Sequence, residues 1–349
     1  MQPIMQENCR DFLFSRAARG EKTERTPVWL MRQAGRTDPE YVRIREEAPL
    51  PLEELFRHPE LAARISLLPR RYGVDAIIFY QDILTPLAPM GASFVFRPGP
   101  VLEGPIGGTQ DLGALTLYDV AEALSFVPET LRLVRSSLEG ELPVLGFAGA
   151  PWTLLAFLLE GGSFGSSADR AVDFLHREPM AAHAVLDKLT RMTIDYLLLQ
   201  IAAGAAAVQL FESAAYLLSP ALYKEFALRY QQRIFAAIKD KAPTIVFARD
   251  WPVLEDLDAS GADILSLSGK ISLREARGQL GPQRALQGNL SNRLLVAGPL
   301  DAIRDAARDC VVAGNRQGHI FNLDHGLLKE TPFDHIVELV RYVRSLTVS

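Results

Sequence analysis

The sequence predicts a protein of the α/β class, a single (β/α)8 barrel of the TIM type. Three observations predict it: strand-like and helix-like segments alternate eight times, each strand candidate closes on a polar or glycine-rich corner, and 349 residues suit one such domain. We expect one domain over residues 1–349, with the barrel core at about 26–346 and the active-site cleft at the carboxyl ends of the strands. An open doubly wound sheet would normally carry a glycine-rich phosphate fingerprint after its first strand, and this chain has none.

The first half of the chain supplies four strand candidates, each a short apolar run that ends at turn residues. They cover residues 27–31, 74–80, 142–147 and 206–211. Helical spacing predicts helices at 55–72, at 120–139, and one or two within 167–203. A segment rich in proline and glycine, 86–113, interrupts this alternation, and we expect 93–97 to pair with the residues around Val101 as a hairpin.

The second half alternates more regularly. The predicted strands are 244–247, 263–267, 285–287 and 319–323, and the predicted helices are 220–238, 251–259, 272–280 and 291–313. A terminal helix begins at Thr331-Pro332, since a capping residue followed by proline is a common helix start.

Composition narrows the possible function classes. A formal net charge of -5 argues against a nucleic-acid-binding protein, which normally shows a basic bias. Residues 1–20 lack the continuous apolar core of a signal peptide, and no apolar stretch reaches membrane-spanning length without a charge or a helix-breaking residue. Only Cys9 and Cys310 occur, so we predict neither a disulfide framework nor a cysteine-rich metal site. We expect a soluble, cytoplasmic protein without nucleic-acid or membrane partners.

The corner after the first strand candidate carries two arginines. Arg32 and Arg36 stand four residues apart, with Gly35 between them. Guanidinium groups pair with carboxylate or phosphate in bidentate geometry, and glycine lets the backbone turn close to a ligand. The pattern predicts an anion clamp and therefore a substrate with acid groups. An isolated pair of this kind would more often be a surface salt-bridge corner.

Polar residues follow the other strand candidates as well. Because the carboxyl ends of barrel strands meet at one rim, we expect these residues to gather there. They are Asp82, Gly149 to Trp152, Glu212, Ser213, Arg249, Asp250, Asn289, Asp324 and His325. Structural alternatives stay open, because Asp82 could be a turn or helix-cap carboxylate and His325 a satisfied core histidine. Glu212 and Asp250 could equally be solvated turn residues, and Trp152 most plausibly packs in the core.

Several corners belong to longer motifs. These are Met31-Arg32-Gln33-Ala34-Gly35-Arg36, Asp82-Ile83-Leu84-Thr85-Pro86, Gly146-Phe147-Ala148-Gly149-Ala150-Pro151-Trp152-Thr153-Leu154, Phe211-Glu212-Ser213, Leu286-Gln287-Gly288-Asn289-Leu290, and Phe321-Asn322-Leu323 with His325-Gly326. In these motifs, in order from about residue 26 to residue 343, the sequence resembles the uroporphyrinogen decarboxylase family. The arginine motif and the motif at 146–154 are highly specific.

The resemblance implies a cofactor-free carboxy-lyase, usually a homodimer, that acts in heme biosynthesis. Its reaction removes carbon dioxide from the four acetate side chains of uroporphyrinogen III and gives coproporphyrinogen III. At the positions of the family's functional residues stand Asp82, Arg32 and Arg36 as catalytic residues, and Arg32, Arg36, Arg45, Asp82, Phe157, Ser213 and His325 as substrate-binding residues. The family pattern implies no metal.

These residues suit that chemistry. A substrate with eight carboxylates needs several cations, which Arg32, Arg36 and Arg45 supply. Asp82 is placed to accept the pyrrole N–H groups. Protonation of a ring carbon makes a cationic electron sink, which a nearby carboxylate stabilises. Arg32 as the proton donor is energetically demanding, because a guanidinium stays protonated at ordinary pH.

The sequence departs from the family pattern at several positions. Thr37-Asp38 replaces an aromatic–apolar pair, and Phe157 stands where a tyrosine is usual. Ser268-Gly269 replaces an Asp-Trp pair, and Asp324 replaces a glycine beside His325. We interpret the chain as an active but diverged decarboxylase whose rate and exact substrate these changes leave open.

Two other functions compete with this interpretation. A corrinoid-dependent methyltransferase has a similar barrel, but its chemistry needs a zinc–thiolate site, and neither cysteine lies in a His-x-Cys arrangement. A non-catalytic porphyrinogen-binding paralogue would use the same arginines and Asp82, so the sequence does not separate it from the enzyme.

Overall fold

A computed structural model describes residues 11–104 and 106–346. Its strands are β1 (Ile77–Ile78), β2 (Phe94–Phe96), β3 (Pro100–Leu102), β4 (Val144–Gly149), β5 (Ala207–Glu212), β6 (Thr244–Ala248), β7 (Ile264–Ser266), β8 (Ala285–Gln287) and β9 (His319–Ile320). Seven of them form one parallel sheet in the order β1-β4-β5-β6-β7-β8-β9, and β2 pairs with β3 in a separate hairpin. Consecutive strands of the main sheet are neighbours, as in a barrel that closes around one core.

Residues 27–31 fill the eighth strand position, between β9 and β1. The N–H of Phe321 donates to the carbonyl of Pro27 (2.8 Å), and the N–H of Asp75 donates to the carbonyl of Val28 (2.7 Å). The Asp75 carboxylate also accepts the N–H of Val28 at 2.9 Å, which fastens this segment to the start of β1. The predicted (β/α)8 barrel is therefore confirmed, with the first strand present as an extended segment that makes one parallel bridge, from Val28 to Phe321.

Helices cover the outside of the sheet. They are Leu13–Ala18, Pro39–Glu47, Leu52–Leu55, Pro59–Ser66, Thr109–Ala114, Val120–Ala123, Phe126–Leu138, Pro151–Glu160, Asp169–Arg177, Pro179–Ala202, Pro220–Tyr223, Arg229–Ile238, Leu254–Ala259, Leu273–Leu280, Asn292–Ala297, Leu300–Gly314 and Phe333–Ser345. Leu68–Tyr72, Thr85–Met90 and Ala215–Leu217 are 3-10 turns, and Lys224–Leu228 is a π-helical turn inside the predicted helix 220–238.

Proline divides two of the predicted helices. The prediction of one helix over 55–72 is wrong, because Pro59 and Pro69 lack the N–H that a continuing helix requires. Pro59 is the first residue of the helix Pro59–Ser66, and Pro69 is the second residue of the 3-10 turn Leu68–Tyr72. The segment 291–313 likewise breaks at Gly298-Pro299. Proline in the first helical turn is favourable, so the same residues that end one helix start the next.

Two helices beside the cleft were absent from the sequence interpretation. Pro39–Glu47 follows the arginine corner, and Asp38 caps it by accepting the N–H of Glu40 at 2.8 Å. Pro151–Glu160 follows β4 directly and ends at Gly161, whose φ of 73° is readily adopted only by glycine. The pattern at 149–152 predicts only the corner after a strand, although proline there also starts a helix.

The predicted hairpin is confirmed, and it lies beside the rim. Phe94 pairs with Leu102 and Phe96 with Pro100 across β2 and β3. An antiparallel bridge between Val101 and Gly162 joins this hairpin to the loop after Pro151–Glu160.

The barrel interior contains a hydrogen-bonded polar layer. Gln287 on β8 accepts the indole N–H of Trp29 at 3.0 Å and donates to Gln209 on β5 at 3.0 Å and to Ser266 on β7 at 2.9 Å. All four side chains are buried, and each polar group named here has a partner. Satisfied polar networks of this kind fix side-chain positions in a core, so the strands that end at the rim have a defined register.

Candidate active site

A cavity of about 710 Å³ opens at the carboxyl ends of the strands. Arg32, Arg36, Asp82, Phe157 and Ser213, five of the seven predicted site residues, line it. Its volume lies within the usual range of small-molecule sites. The cavity therefore brings the arginine corner, the first acidic corner and the polar end of β5 together, as the barrel prediction required.

Arg32 presents a free guanidinium to this cavity. Its backbone lies in the left-handed region, with φ at 61°, a conformation that a non-glycine residue holds only when its surroundings enforce it. Solvent reaches the side chain through the cavity, and its guanidinium makes no hydrogen bond with the part of the chain that the structure describes. Desolvation lowers the pKa of Arg32 from its usual value, the charge of Asp82 opposes that shift, and the nearby Arg249 adds to it.

Asp82 faces the same space. One of its oxygens accepts the N–H of Leu84 at 2.8 Å, which is the turn-capping role that the sequence left open. Burial raises the pKa of Asp82 to about 6, although that N–H and the charge of Arg32 both favour the carboxylate. The second oxygen accepts no hydrogen bond from the described residues, so Asp82 both caps its turn and keeps an acceptor available for a ligand.

His325 and Arg45 lie next to the cavity rather than among its lining residues. Burial lowers the pKa of His325 to about 3, with further lowering by Arg32 and Arg249, so its imidazole is neutral at physiological pH. Its ring meets Phe247 edge-on, with centroids 5.7 Å apart. Arg45 donates to the carbonyl of Leu50 at 2.7 Å. Direct contact of these two side chains with a substrate stays a prediction.

Phenylalanine rings form one wall of the cavity, and of these only Phe157 was predicted from the sequence. Phe79, Phe147 and Phe211 line the cavity, and their centroids are 5.2 Å and 5.7 Å apart in that order. Each lies near the end of an apolar strand segment, shortly before the polar corner. That position is the signal that could have identified them, because the last inward-facing residue of a barrel strand meets whatever fills the cleft.

Phe157 packs in an apolar part of the same wall. Its ring lies 4.8 Å from Phe164 and 6.4 Å from Phe94, centroid to centroid. This chain therefore has an apolar ring where the family pattern has a tyrosine hydroxyl.

Glu212 supports the end of β5 from inside the protein. It is fully buried and accepts hydrogen bonds from the hydroxyl of Thr153 and from the amide of Gln231, the latter at 3.2 Å. Burial raises its pKa to about 7. Thr153 in turn accepts the N–H of Ala214 at 3.1 Å. Glu212 is thus no solvated turn residue, and its contacts fix the loop that presents Ser213 to the cavity.

The departure at Thr37-Asp38 has a structural explanation. Asp38 is fully buried, caps Pro39–Glu47 and forms an ion pair with Arg71. Thr37 lines the cavity. The acidic residue therefore anchors the helix after the arginine corner instead of facing the substrate space.

A second cavity, of about 380 Å³, lies at the opposite end of the barrel. Its lining includes Val144 and Gly204, at the amino ends of β4 and β5, and Phe12, just before the first helix. Because barrel enzymes carry their catalytic groups at the carboxyl ends, this cavity is no candidate for the same chemistry.

Comparison with known proteins identifies the family. A profile of the uroporphyrinogen decarboxylase family matches residues 10–346. The chain belongs to the uroporphyrinogen decarboxylase family. The uroporphyrinogen decarboxylase of Chloroflexus aurantiacus is 42% identical over 343 residues, 95% of each chain. That of Chloroherpeton thalassium is 41% identical over 343 residues, 95% of this chain and 96% of the relative.

The barrel is shared more widely than the family. A methyltransferase from Methanosarcina mazei superposes with a TM-score of 0.80, covering 96% of this chain and 99% of that one, at 21% sequence identity. At this identity the likeness concerns the fold alone.

Within residues 11–104 and 106–346, no group of three or more His, Cys, Asp or Glu side chains is arranged to hold a metal ion, while Cys9 lies outside these ranges. No helix in the same ranges combines the length and apolar character needed to cross a membrane.

Proposed function

We propose that this protein decarboxylates the four acetate side chains of uroporphyrinogen III to give coproporphyrinogen III. One observation carries the proposal: Arg32 and Arg36 line one cavity with Asp82, and neither guanidinium makes a hydrogen bond with the described residues. Paired cations without protein partners suit a polyanionic ligand. Membership of the family supports uroporphyrinogen, which carries eight carboxylates, as that ligand.

Substrate binding divides between the charges and the rings. Arg32, Arg36 and Ser213 bind side-chain carboxylates, and Arg45 and His325 act on those that reach beyond the cavity lining. The neutral imidazole of His325 donates a hydrogen bond instead of adding a charge. Phe79, Phe147 and Phe211 pack against the apolar body of the macrocycle.

Asp82 acts on the pyrrole that reacts. Its unbonded oxygen accepts the pyrrole N–H groups, and these donors, with Arg32 nearby, favour the charged carboxylate and oppose the rise in pKa that burial causes. Addition of a proton to a ring carbon makes a cationic ring. The bond between the acetate methylene and its carboxylate then breaks, its electron pair flows into the ring, and carbon dioxide leaves. The carboxylate of Asp82 stabilises the positive charge that develops in this step.

Arg32 is the proposed source of the proton to the ring carbon. Desolvation and the neighbouring Arg249 lower the pKa of Arg32 against the opposing charge of Asp82, which eases proton release from a group that ordinarily holds its proton. A second proton, taken from solvent by the methylene carbon after carbon dioxide leaves, completes the methyl group. The ring carbon then returns its proton to Arg32, which restores the neutral pyrrole and the charged guanidinium.

The family pattern also supports a homodimer that acts in the cytoplasm without a metal or organic cofactor. Activity should survive dialysis against a chelator unchanged. Strict dependence on added zinc would contradict the cofactor-free proposal.

The deciding experiment is single-turnover incubation of excess protein with uroporphyrinogen III under anaerobic conditions. We expect release of four molecules of carbon dioxide per substrate, with coproporphyrinogen III as the final product. Tight binding without carbon dioxide release would identify a non-catalytic porphyrinogen-binding protein instead.

A further inference from the structure

The turn 324–326 supports Arg32 directly. A Cβ atom added at Gly326 would lie 2.5 Å from Cδ and 2.7 Å from Cγ of Arg32, so the bare backbone of Gly326 is the surface on which the Arg32 stem rests. The N–H of Leu327 donates to the carbonyl of Met31 at 2.9 Å, joining this turn to the residue before Arg32. The strained backbone of Arg32 therefore depends on where the turn lies.

Two side chains fix the turn. The amide of Asn292 donates to the carbonyl of Gly326 at 2.8 Å, and the carboxylate of Asp324 accepts the backbone N–H of Asn292 at 2.8 Å. Asn292 begins the helix Asn292–Ala297, whose preceding residue Ser291 makes no side-chain cap. Asp324 thus takes the capping role, and the pair ties the turn to the start of this helix.

The carboxylate of Asp324 needs a glycine beneath it. A Cβ atom added at Gly269 would lie 2.7 Å from Oδ2 of Asp324 and 3.5 Å from its Cβ and Cγ. Ser268 is occupied elsewhere, because its hydroxyl donates to the carbonyl of Trp251 at 2.9 Å. Two departures from the family pattern, Gly269 and Asp324, therefore form one packing unit.

We propose that Asp324 and Asn292 are positioning residues for Arg32, with Gly269 providing the space that Asp324 requires. Asp324 and Asn292 hold the 324–326 turn, Gly326 carries the Arg32 stem, and the guanidinium is thereby presented to the cavity. This inference rests on the proposed function of Arg32, and it adds a set of residues that act through Arg32 without touching the substrate.

A double-mutant cycle between Asp324→Ala and Arg32→Lys tests the inference, with kcat/KM for uroporphyrinogen III as the measure. We expect Asp324→Ala to lower kcat/KM about 10- to 50-fold and the double variant to lie within about 3-fold of Arg32→Lys alone, because both changes remove the same placed fork. Asp324→Asn should stay within about 3-fold of the wild type, since its amide oxygen still accepts the N–H of Asn292. Gly269→Ala should lower kcat/KM in the wild type and have no further effect in Asp324→Ala.

Asp119→Ala is the matched control, because Asp119 is another carboxylate that caps a helix, Val120–Ala123, away from the cavity. It should lower the melting temperature while kcat/KM stays unchanged. Should Asp324→Ala fail to fold, Asn292→Ala replaces it in the cycle. Normal kcat/KM in folded Asp324→Ala, or losses that add fully to those of Arg32→Lys, would overturn the inference.

The wild-type assay separates this inference from the proposed function. Absence of carbon dioxide release from the wild type contradicts the proposed function alone. The same cycle is then measured on the Kd for uroporphyrinogen III by anaerobic equilibrium dialysis, and additive losses of affinity would again overturn the positioning role.

Discussion

Arg32 and Arg277 are two arginines at opposite ends of one barrel, and desolvation lowers the pKa of both. Arg277 lies at the amino ends of β8 and β9, and its pKa falls to about 10. Its guanidinium donates to four backbone carbonyls, those of Gly281, Pro282, Arg284 and Gly318, at 2.6 to 3.1 Å. Arg32, by contrast, makes no hydrogen bond with the described residues and faces the cavity.

The comparison separates two uses of the same side chain. A lowered pKa reports only that a cation has lost water, which happens wherever the protein surrounds it. The number of satisfied donors decides the role. Arg277 donates its hydrogen bonds to loop carbonyls at the amino end of the barrel, so it stabilises the fold. The donors of Arg32 remain open, which suits a ligand with carboxylates.

The largest expected effect concerns Asp82, whose carboxylate lies near Arg32. Arg277 has no such carboxylate neighbour among the described residues. Asp82→Asn keeps the shape and the cap on Leu84 but removes the negative charge that stabilises the protonated ring. We expect kcat to fall about 10²-fold or more, with a smaller change in porphyrinogen affinity. Steady-state kcat and anaerobic binding, measured on one preparation, check this. An unchanged kcat would remove Asp82 from the mechanism.

The same variant should become more stable, and pH should control by how much. Because the pKa of Asp82 is raised to about 6, the folded protein binds its proton more tightly than the unfolded chain does. The contribution of Asp82 to the free energy of unfolding of the wild type therefore declines as pH rises from about 4 to above 6. At pH 7.5 we expect Asp82→Asn to gain about 1–2 kcal/mol in the free energy of unfolding, and to lose that gain near pH 4.

The pH dependence of activity also tests whether Asp82 acts as a carboxylate in the mechanism. The wild-type kcat/KM should decline below pH about 6, where Asp82 of the free enzyme becomes protonated. Denaturant titrations and pH–rate profiles measure the two effects. A destabilised Asp82→Asn with normal turnover would show that the carboxylate serves the turn alone.

Arg277→Met should damage the fold and spare the chemistry. The carbonyls of Gly281, Pro282 and Arg284 lose the donor that Arg277 supplies, while that of Gly318 keeps the N–H of Leu286. We expect the free energy of unfolding to fall by about 2–3 kcal/mol, with kcat/KM per folded molecule within about 2-fold of the wild type. Arg274→Met, at an exposed position on the same helix, is the matched control and should change neither quantity. A selective loss of turnover in Arg277→Met would erase the distinction between the two arginines.

Arg32→Lys should show the opposite pattern. Lysine keeps a positive charge but loses the planar fork of the guanidinium. We therefore expect a loss of kcat/KM that corresponds to about 1–3 kcal/mol of transition-state stabilisation. The melting temperature should stay near the wild-type value, since no hydrogen bond to the described residues is lost. Kinetics and thermal unfolding on the same samples decide the matter, and normal kinetics would make the arginine corner structural.

The smallest expected effect concerns a third cation at the mouth of the cavity. Lys329 lines the cavity but is exposed, and it pairs only loosely with Glu330 at 3.6 Å. Because exposed charges are strongly screened, we expect Lys329→Gln to raise KM for uroporphyrinogen about 2- to 5-fold at low salt, with kcat unchanged. The difference should vanish at high ionic strength, and a salt-independent effect would point to a direct, desolvated contact.

Much of the fold was readable from the chain because its signals are local. Short apolar runs predict strands, and glycine and proline mark the turns between elements. Together with the order of the segments, these signals predict a barrel without knowledge of any contact. The same order places Arg32, Asp82 and Ser213 at strand ends, and a closed parallel sheet must bring strand ends to one rim. The helices starting at Pro39 and Pro151 were missed, although proline at the first position of a helix is itself a local signal.

The sequence by itself determined the barrel, the family and the place of the arginine corner at the carboxyl end of the first strand. Only the tertiary structure decided what each polar residue does, because burial and hydrogen-bond partners come from segments far apart in the chain. Asp38 forms an ion pair with Arg71, Glu212 accepts a hydrogen bond from Thr153, and the Asp324 carboxylate packs against Gly269. A local pattern fixes which rim a side chain reaches, whereas packing fixes whether its donors and acceptors are consumed by the protein or left for a ligand.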